Sequence, residues 1–163
     1  MTPTIHTSPS ESTLTLQKAT PEDIPAIKAM VDAAYSKYTE RIGKPPAPMS
    51  EDWYQVIHTH EVLVLKDNKR IVGSITYYKE EQTDSLKVDN VVVDPTVQGR
   101  GYGVHMIHYA EMEARKQGVS SVTLFTNVMM SENIGFYARL GFMETDRRVE
   151  DGFERVYFCK KLC

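Results

Sequence analysis

Cysteine is scarce in this chain, with two residues, Cys159 and Cys163, among 163. Both lie in a segment with a strand pattern, where four residues span about 13 Å. The Cα atoms of a disulfide lie within about 7 Å of each other, so we expect both cysteines to be free thiols. No cysteine pair has the two-residue spacing typical of zinc or redox sites, which argues against a structural metal.

An excess of basic residues is also missing. The 19 Lys and Arg against 22 Asp and Glu give a net charge of −3, so the chain has no overall positive field that would attract a phosphate backbone. No apolar run approaches the roughly 18 residues of a membrane span, and the first residues lack the basic start and apolar core of a signal peptide. These absences argue against nucleic-acid and membrane partners and predict a cytoplasmic protein.

The composition that is present, 41% hydrophobic and 25% charged, is typical of one globular domain. We assign that domain to residues 13–163, after a Ser/Thr/Pro-rich tail at 1–12 that we expect to be disordered. The segments alternate between strand and helix patterns. The predicted strands are 14–19, two within 62–78, 85–93, 119–127 and two within 142–162, and the predicted helices are 20–38, 51–59, 101–117 and 131–141.

This order predicts a mixed α/β (α+β) fold, with a mostly antiparallel sheet of about seven strands and about four flanking helices. The prolines of segment 41–49 predict a loop because they remove donors and fix φ. Turns are expected at 67–69 and at Asp151–Gly152, each joining two strands of a hairpin. Thr20 and Pro21 suit the start of the first helix.

The stretch VVVDPTVQGRGYG, residues 91–103, places three alternate glycines between a strand and a helix. Such a loop exposes backbone N–H groups at the positive end of a helix dipole, which favours an anionic ligand such as phosphate. A P-loop needs GK[ST] and a dinucleotide fold needs GxGxxG, and the residues after Gly103 fit neither pattern. The alternative is a glycine turn that serves only close helix packing.

Two stretches together resemble the GNAT superfamily of acyl-coenzyme A-dependent N-acetyltransferases. QGRGYG after NVVVDP resembles its Q/RxxGxG/A element, and TNVMMSENIGFYARLGF resembles its second cofactor element. The resemblance covers residues 60–162 well and the first half only in its order of elements. It implies a GNAT-like fold whose fourth and fifth strands splay apart, and acetyl-coenzyme A as cosubstrate. It also implies acetyl transfer to a primary amine by direct attack in a ternary complex.

The resemblance also implies roles for individual residues. The main chain of Val91, Val92 and Val93 would pair with the pantetheine arm, and an N–H there would polarise the thioester carbonyl. Tyr137 matches the family's usual general acid, Asn133 would hydrogen-bond the cofactor, and Met130 stands where relatives often carry asparagine. The pyrophosphate would be wrapped by the N–H groups of Gln98, Gly99, Arg100, Gly101, Tyr102 and Gly103.

An amine must lose a proton before it attacks, so a base is expected. Asp89 is the first candidate, because alternation along its strand places it on the same face as Val91 and Val93. It is equally well explained as an ordinary carboxylate at a strand start. Glu80, Glu81 and Asp84 are assigned to a solvated loop.

The acceptor cleft is expected between the first half of the chain and the last hairpin. Tyr35, Trp53 and Tyr54 are candidate walls, and Arg147 and Arg148 are candidates to hold an anionic group. For each of these residues, packing or a place on the hairpin surface is the favoured alternative. A small amine, an amino acid and a protein amine all stay open as acceptors, and a homodimer is an expectation from the family.

Two other functions remain as alternatives. One is a sensor that binds acyl-coenzyme A without chemistry, and the other is a nucleotide-binding module that uses the same glycine loop. His105, His108 and Glu111 have a spacing of three that could gather a metal, but the same positions suit an ordinary helix face. We expect no metal site.

Overall fold

The computed structural model describes residues 14–162. The tail at 1–12 and Cys163, to which two of the expectations above refer, lie outside this range. Cys159 is a free thiol. Within these residues one seven-stranded mixed sheet has the order β1-β2-β3-β4-β5-β7-β6. The strands are β1 Leu14–Lys18, β2 Glu61–Asp67, β3 Arg70–Glu80, β4 Ser85–Val93, β5 Ser121–Asn127, β6 Met143–Glu150 and β7 Phe153–Lys161.

Five α-helices flank the described sheet: α1 Ile24–Tyr35, α2 Tyr38–Ile42, α3 Trp53–Thr59, α4 Tyr102–Lys116 and α5 Ser131–Arg139. The first predicted helix, 20–38, is therefore divided. It starts with a 3-10 turn, Pro21–Asp23, where the Asp23 carboxylate accepts from the Thr20 amide at 2.9 Å. The prediction of a loop from residue 41 was wrong for Arg41 and Ile42, because α2 continues to Ile42 and is capped by Gly43, whose φ is +88°.

The third helix starts later than predicted, at Trp53 rather than at residue 51. Its N-cap is Asp52, whose carboxylate accepts hydrogen bonds from the amides of Tyr54 and Gln55. An aspartate N-cap satisfies amides that the first helical turn leaves unpaired. The predicted hairpins and the predicted strand 85–93 are confirmed.

The core forms two layers, one on each face of the sheet. Helices α4 and α5 cover one face, where Met106 and Ile107 are fully buried. Helices α1 and α3 cover the other, where Ile27 and Val31 are fully buried. A Cβ at Gly73 of β3 would stand 2.8 Å from the Met106 methyl carbon, so this glycine lets α4 approach the sheet.

Strands β4 and β5 are parallel and pair only from Ser85–Ser121 to Val88–Leu124. Beyond this point β4 stays paired with β3 but leaves β5. The expected splay of the fourth and fifth strands is therefore present, and it opens a gap in the middle of the sheet. In residues 14–162 no helix is long and apolar enough to cross a membrane.

Candidate active site

The gap between β4 and β5 opens into two clefts. The main cleft has a volume of about 470 Å³ and lies between the end of β4, the glycine loop, the start of α4, and α5. The second cleft consists of two adjoining pockets of about 60 and 260 Å³, which share six lining residues. The shared residues are Ala47, Pro48, Asp89, Asn90, Phe125 and Arg155.

The free edge of β4 faces the gap. The Asp94 amide donates to the Val72 carbonyl of β3 at 2.9 Å. Peptide groups alternate in direction along an antiparallel strand, so the Val92 peptide faces β3 and those of Val91 and Val93 face the gap. The Val91 carbonyl accordingly accepts from the Tyr35 hydroxyl at 3.1 Å. The amides of Val91 and Val93 are left as donors for an extended ligand.

Glycine is required at the three loop positions for two different structural reasons. Gly99 and Gly101 have φ of +85° and +82°, and a Cβ on either would meet no atom within 4 Å. Both line the main cleft. A Cβ on Gly103 would instead stand 3.2 Å from Cζ of Phe136. Helix packing, the alternative considered for the whole loop, therefore applies to Gly103, whereas Gly99 and Gly101 serve the backbone conformation of an uncovered loop.

Helix α4 starts at this loop without a side-chain cap. Its first helical hydrogen bond runs from the His105 amide to the Gly101 carbonyl at 3.0 Å. The amides of the first turn are then free to bind an anion, at the positive end of the helix dipole. Tyr102 offers only its backbone, because its hydroxyl donates to Asp67 at 3.0 Å. Gln98 lines the main cleft, while Arg100 is exposed and does not.

Tyr137 lies where the two clefts meet and lines both. Its side chain is 7% exposed, and its ring packs against Phe136, Phe142 and Phe158. Burial raises the pKa of the Tyr137 hydroxyl above its ordinary value. The residue is therefore part of the core and still presents a protonated phenol to the clefts.

Asn133 and Met130 contact each other beside Tyr137. The Asn133 amide nitrogen donates to the Thr126 hydroxyl at 3.3 Å and to the Met130 sulfur at 3.5 Å. Asn133 lines both clefts, but its amide nitrogen is used within the protein. Its carbonyl oxygen is the group that it can offer to a ligand.

Asp89 lies at a β-bulge. Thr76 pairs with Asn90 and Tyr77 with Val88, so Asp89 is the extra residue. It lines the second cleft. Glu51 lines the same cleft, and its pKa is raised, first by burial and then by the negative charge of Asp89. No sequence pattern pointed to Glu51, which lies in a loop far from Asp89 along the chain.

Of the three aromatic residues predicted as cleft walls, two line a cleft and one does not. Tyr35 lines both clefts and Trp53 lines the second cleft, whereas Tyr54 is 54% exposed and lines neither. The Tyr35 hydroxyl, besides contacting Val91, donates to Oδ1 of Asn90 at 2.8 Å. Burial raises the Tyr35 pKa, with a smaller effect from Tyr137. Tyr35 thus connects α1 to the free end of β4.

Arg147 and Arg148 lie on the hairpin surface, which was the favoured alternative for both residues. Arg147 pairs with Glu144, and Arg148 pairs with Asp146, all on the exposed strand β6. Arg155 of β7 lines the second cleft instead, with 8% of its side chain exposed. Its guanidinium lies 4.2 Å from the centre of the Phe125 ring and is paired with the carboxylates of the hairpin turn.

The histidines of α4 lie apart from both clefts. His105 and His108 are exposed, while Glu111 is buried and forms an ion pair with Lys160 of β7. Within residues 14–162 no three His, Cys, Asp or Glu side chains lie close enough together to hold a metal ion.

Comparison with known proteins gives the family. Residues 27–142, more than half of the chain, match the acetyltransferase (GNAT) family. The uncharacterised protein YxbD of Bacillus subtilis strain 168 is 24% identical over 119 residues, which are 73% of this chain and 72% of that protein.

Solved structures share the fold. The ribosomal-protein-S18-alanine N-acetyltransferase of Escherichia coli superimposes with a TM-score of 0.70 at 19% identity, over 91% of this chain and 93% of that one. A GNAT acetyltransferase from Elizabethkingia anophelis with acetyl-CoA bound gives a TM-score of 0.67 at 17% identity, over 93% and 100%. With this sheet, this glycine loop and this family match, the chain belongs to the GNAT acetyltransferase family.

Proposed function

We propose that residues 13–163 form one domain that transfers the acetyl group of acetyl-CoA to a primary amine of a small molecule, amino acid or protein. Transfer occurs by direct attack in a ternary complex. The observation that carries this proposal is the meeting of the two clefts. Four residues, Tyr35, Val91, Asn133 and Tyr137, line both of them. A donor in one cleft and an acceptor in the other can therefore react without a covalent enzyme intermediate.

The main cleft suits the acyl donor. Its volume of about 470 Å³ lies within the range of about 300–1,000 Å³ typical of small-molecule sites. The free amides of Val91 and Val93 can pair with an extended amide-containing arm. The amides at Gly99, Gly101 and the first turn of α4 can bind a pyrophosphate, and no side chain covers the two glycines.

The chemical step forms one bond and breaks one. The amine nitrogen attacks the thioester carbonyl carbon, the C–N bond forms, the C–S bond breaks, and the sulfur leaves with its electron pair. The nitrogen gives up a proton and the thiolate gains one, so the products are an amide and a thiol. Negative charge develops on the carbonyl oxygen, where the Val91 amide acts as a hydrogen-bond donor already in place.

Tyr137 acts on the leaving thiolate. A phenol near pKa 10 is a weaker acid than a thiol near 8.5, a difference of roughly 2 kcal/mol, and burial raises the Tyr137 pKa further. Early proton transfer is therefore unfavourable. Tyr137 stabilises the thiolate by hydrogen bonding as charge develops and completes the proton transfer late.

Asp89 receives the proton of the amine, directly or through water. An ordinary amine near pKa 10.4 is almost entirely protonated at pH 7, and its neutral form costs about 4.6 kcal/mol. Asp89 lines the acceptor side of the junction, with the Glu51 carboxylate as its neighbour. Two carboxylates in one cleft favour the approach of an ammonium group, and a carboxylate within reach of that group can act as the general base that accepts its proton.

The test is thiol release from acetyl-CoA in the presence of a panel of primary amines. The expected result is turnover with at least one amine and none without it. An acyl-CoA sensor would bind the donor and release no thiol with any amine. A nucleotide module would bind ATP and would not bind acetyl-CoA. Either result would overturn the proposal.

A further inference from the structure

Beyond Val88, strand β4 is supported by a neighbouring strand on one edge only. Its pairing with β5 ends at Val88–Leu124, and within residues 14–162 only β3 pairs with the rest of the strand. The bulge at Asp89 also interrupts the ladder with β3. The Val91 N–H, which polarises the thioester carbonyl in the proposed function, therefore lies in a stretch whose strand pairing is incomplete.

The Tyr35 hydroxyl reaches this stretch from the end of α1. It lies 2.8 Å from Oδ1 of Asn90 and 3.1 Å from the Val91 carbonyl oxygen, and it shares its one proton between the two acceptors. The peptide that joins Asn90 to Val91 carries the Val91 N–H. One contact therefore holds the residue before this N–H, and the other holds the carbonyl after it. Tyr35 restrains the peptide at the edge that β5 leaves free.

The Tyr35 side chain is itself held by the protein. Tyr35 is the last residue of α1 and is 8% exposed. Its ring lies 6.3 Å from the ring of Tyr38, whose hydroxyl donates to Glu132 of α5. Burial raises the Tyr35 pKa, so the hydroxyl keeps the proton that it donates. Phenylalanine would fill the same core space without a buried hydroxyl that needs partners, so packing alone does not explain the tyrosine.

We propose that Tyr35 is a positioning residue for acetyl transfer, which acts through Asn90 and the Val91 carbonyl to hold the Val91 N–H where the thioester oxygen becomes negative. The inference rests on the proposed function and adds a residue to that same site. A donor stabilises such an oxygen most when it is already in place, and a displacement of about 1 Å can cost about 10²-fold in rate. Tyr35 lines both clefts, as Tyr137 does, which places it at their junction.

The first test is Tyr35→Phe, which keeps the ring and removes both contacts. In thiol-release assays with an amine that the parent accepts, kcat should fall about tenfold or more, because the Val91 N–H is no longer fixed. The Kd of acetyl-CoA in titration calorimetry should stay within about threefold, because the Val93 amide and the glycine loop still hold the donor. This split between kcat and Kd distinguishes positioning from donor binding.

The infrared spectrum of bound acetyl-CoA tests the same contact without an acceptor. Acetyl-CoA that is isotope-labelled at its thioester carbonyl carbon is bound to each protein, and its carbonyl stretch is compared with that of free acetyl-CoA in buffer. Hydrogen bonding to Val91 polarises the carbonyl and should lower this frequency in the parent. Tyr35→Phe should lose about half or more of the shift. A loss of stability alone leaves the shift of the folded protein unchanged.

The matched control is Tyr109→Phe. It removes the hydroxyl of a partly buried tyrosine that hydrogen-bonds with Tyr77 and lines neither cleft. Its kcat, Kd and carbonyl shift should equal those of the parent. If Tyr35→Phe does not fold, para-aminophenylalanine in place of Tyr35 supplies the variant. Its amino group keeps the position polar but is a weaker donor with a different geometry, so the carbonyl shift should be smaller than in the parent.

Three results would overturn the inference. The first is a folded variant at position 35 with the kcat and the carbonyl shift of the parent. The second is a parent protein whose bound acetyl-CoA shows no carbonyl shift. The third is a loss of acetyl-CoA affinity as large as the loss of kcat, which would make Tyr35 a donor-binding residue. Absence of thiol release with every amine would instead remove the proposed function, and a carbonyl shift that depends on Tyr35 would still show that it positions the Val91 N–H.

Discussion

At the scale of single residues, the glycine loop allows ligand binding to be separated from stability. Gly101 and Gly118 both have positive φ, +82° and +76°, and a Cβ on either meets nothing within 4 Å. Gly101 lines the main cleft, whereas Gly118 lies after α4. Valine in the left-handed region costs about 1–2 kcal/mol at either position. Of the two valine variants, we expect only Gly101→Val to weaken coenzyme A binding, by tenfold or more in titration calorimetry.

Urea unfolding of the two variants provides the control, because both should lose a similar free energy of unfolding. Coenzyme A binding by Gly101→Val at the affinity of the parent would show that the loop does not hold the pyrophosphate.

Tyr137 has two roles, packing in the core and the proposed action on the leaving thiolate, and one substitution separates them. Tyr137→Phe keeps the ring against its three phenylalanine neighbours and removes the only part that can act on a thiolate. We expect kcat to fall about 10²-fold, the usual scale for general acid catalysis. Coenzyme A affinity and Tm should change little. Because burial raises the Tyr137 pKa, the phenol stays protonated, and its ionisation should not lower the parent's kcat below pH 10.

The matched control is Tyr109→Phe, which removes a partly buried hydroxyl on α4 that lines neither cleft. Its kcat should stay near the parent value. A well-folded Tyr137→Phe protein with near-normal kcat would show that water or another residue, not Tyr137, stabilises and protonates the leaving thiolate.

Some site residues could be predicted from the sequence because they belong to local motifs. The loop glycines belong to the unit formed by β4, the loop and α4, and Tyr137 belongs to the next unit, formed by β5 and α5. In each unit the neighbours along the chain identify the residues. Asn90 and Arg155 meet only through strand pairing across the sheet, and a β-bulge in β6 lies between Glu144 and Asp146. Simple alternation does not detect a bulge, so the sequence pattern does not show that Arg155 is the hairpin arginine that lines the cleft.

At the scale of elements, hydrophobic pattern located β4 better than it located the first helices. The run VDNVVV is rich in β-branched residues, and the strand has the predicted bounds. The predicted helix 20–38 fails after Tyr35 because Tyr38 reorients toward α5, where its hydroxyl donates to Glu132 at 2.8 Å. A contact between segments far apart in the chain overrides a continuous helical pattern. The local sequence around Tyr38 does not reveal that contact.

One largely buried ion pair joins α4 to β7. Glu111 and Lys160 have 6% and 26% of their side chains exposed. Removing one partner of a buried pair leaves an uncompensated charge and costs about 3 kcal/mol or more. We expect Lys160→Met to lower the free energy of unfolding by about 3 kcal/mol in urea titrations at neutral pH. The double variant Glu111→Leu with Lys160→Met should recover most of this loss.

Arg147→Met breaks the exposed pair with Glu144, whose side chains are 55% and 40% exposed. Its free energy of unfolding should stay close to that of the parent, because an exposed ion pair contributes little to stability. If the double variant Glu111→Leu with Lys160→Met is as unstable as Lys160→Met, the loss of stability comes from packing of the lysine stem and not from the unpaired Glu111 carboxylate.

At the scale of the whole molecule, the main cleft joins elements that are distant in sequence. Its walls come from Ala34 and Tyr35 of α1, Val91–Val93 of β4, the glycine loop, and α5. Strands β4 and β5 are parallel and are joined by the α4 crossover. Their pairing stops at Val88–Leu124, which leaves the gap into which this cleft opens. A ligand in the cleft therefore contacts both core layers, and the unfolded chain has no equivalent site.

Coenzyme A should accordingly stabilise the whole fold. A ligand that binds only the native state adds RT ln(1 + [L]/Kd), about 2.7 kcal/mol at a hundredfold excess over Kd. For a chain of this size, 1 kcal/mol corresponds to about 2–4 °C in Tm, so saturating coenzyme A should raise Tm by about 5–10 °C in a thermal melt. Gly118→Val should retain this shift from its own lower Tm, and Gly101→Val should lose it. An unchanged Tm of the parent at millimolar acetyl-CoA, or an equal shift in both valine variants, would contradict binding of the donor in the main cleft.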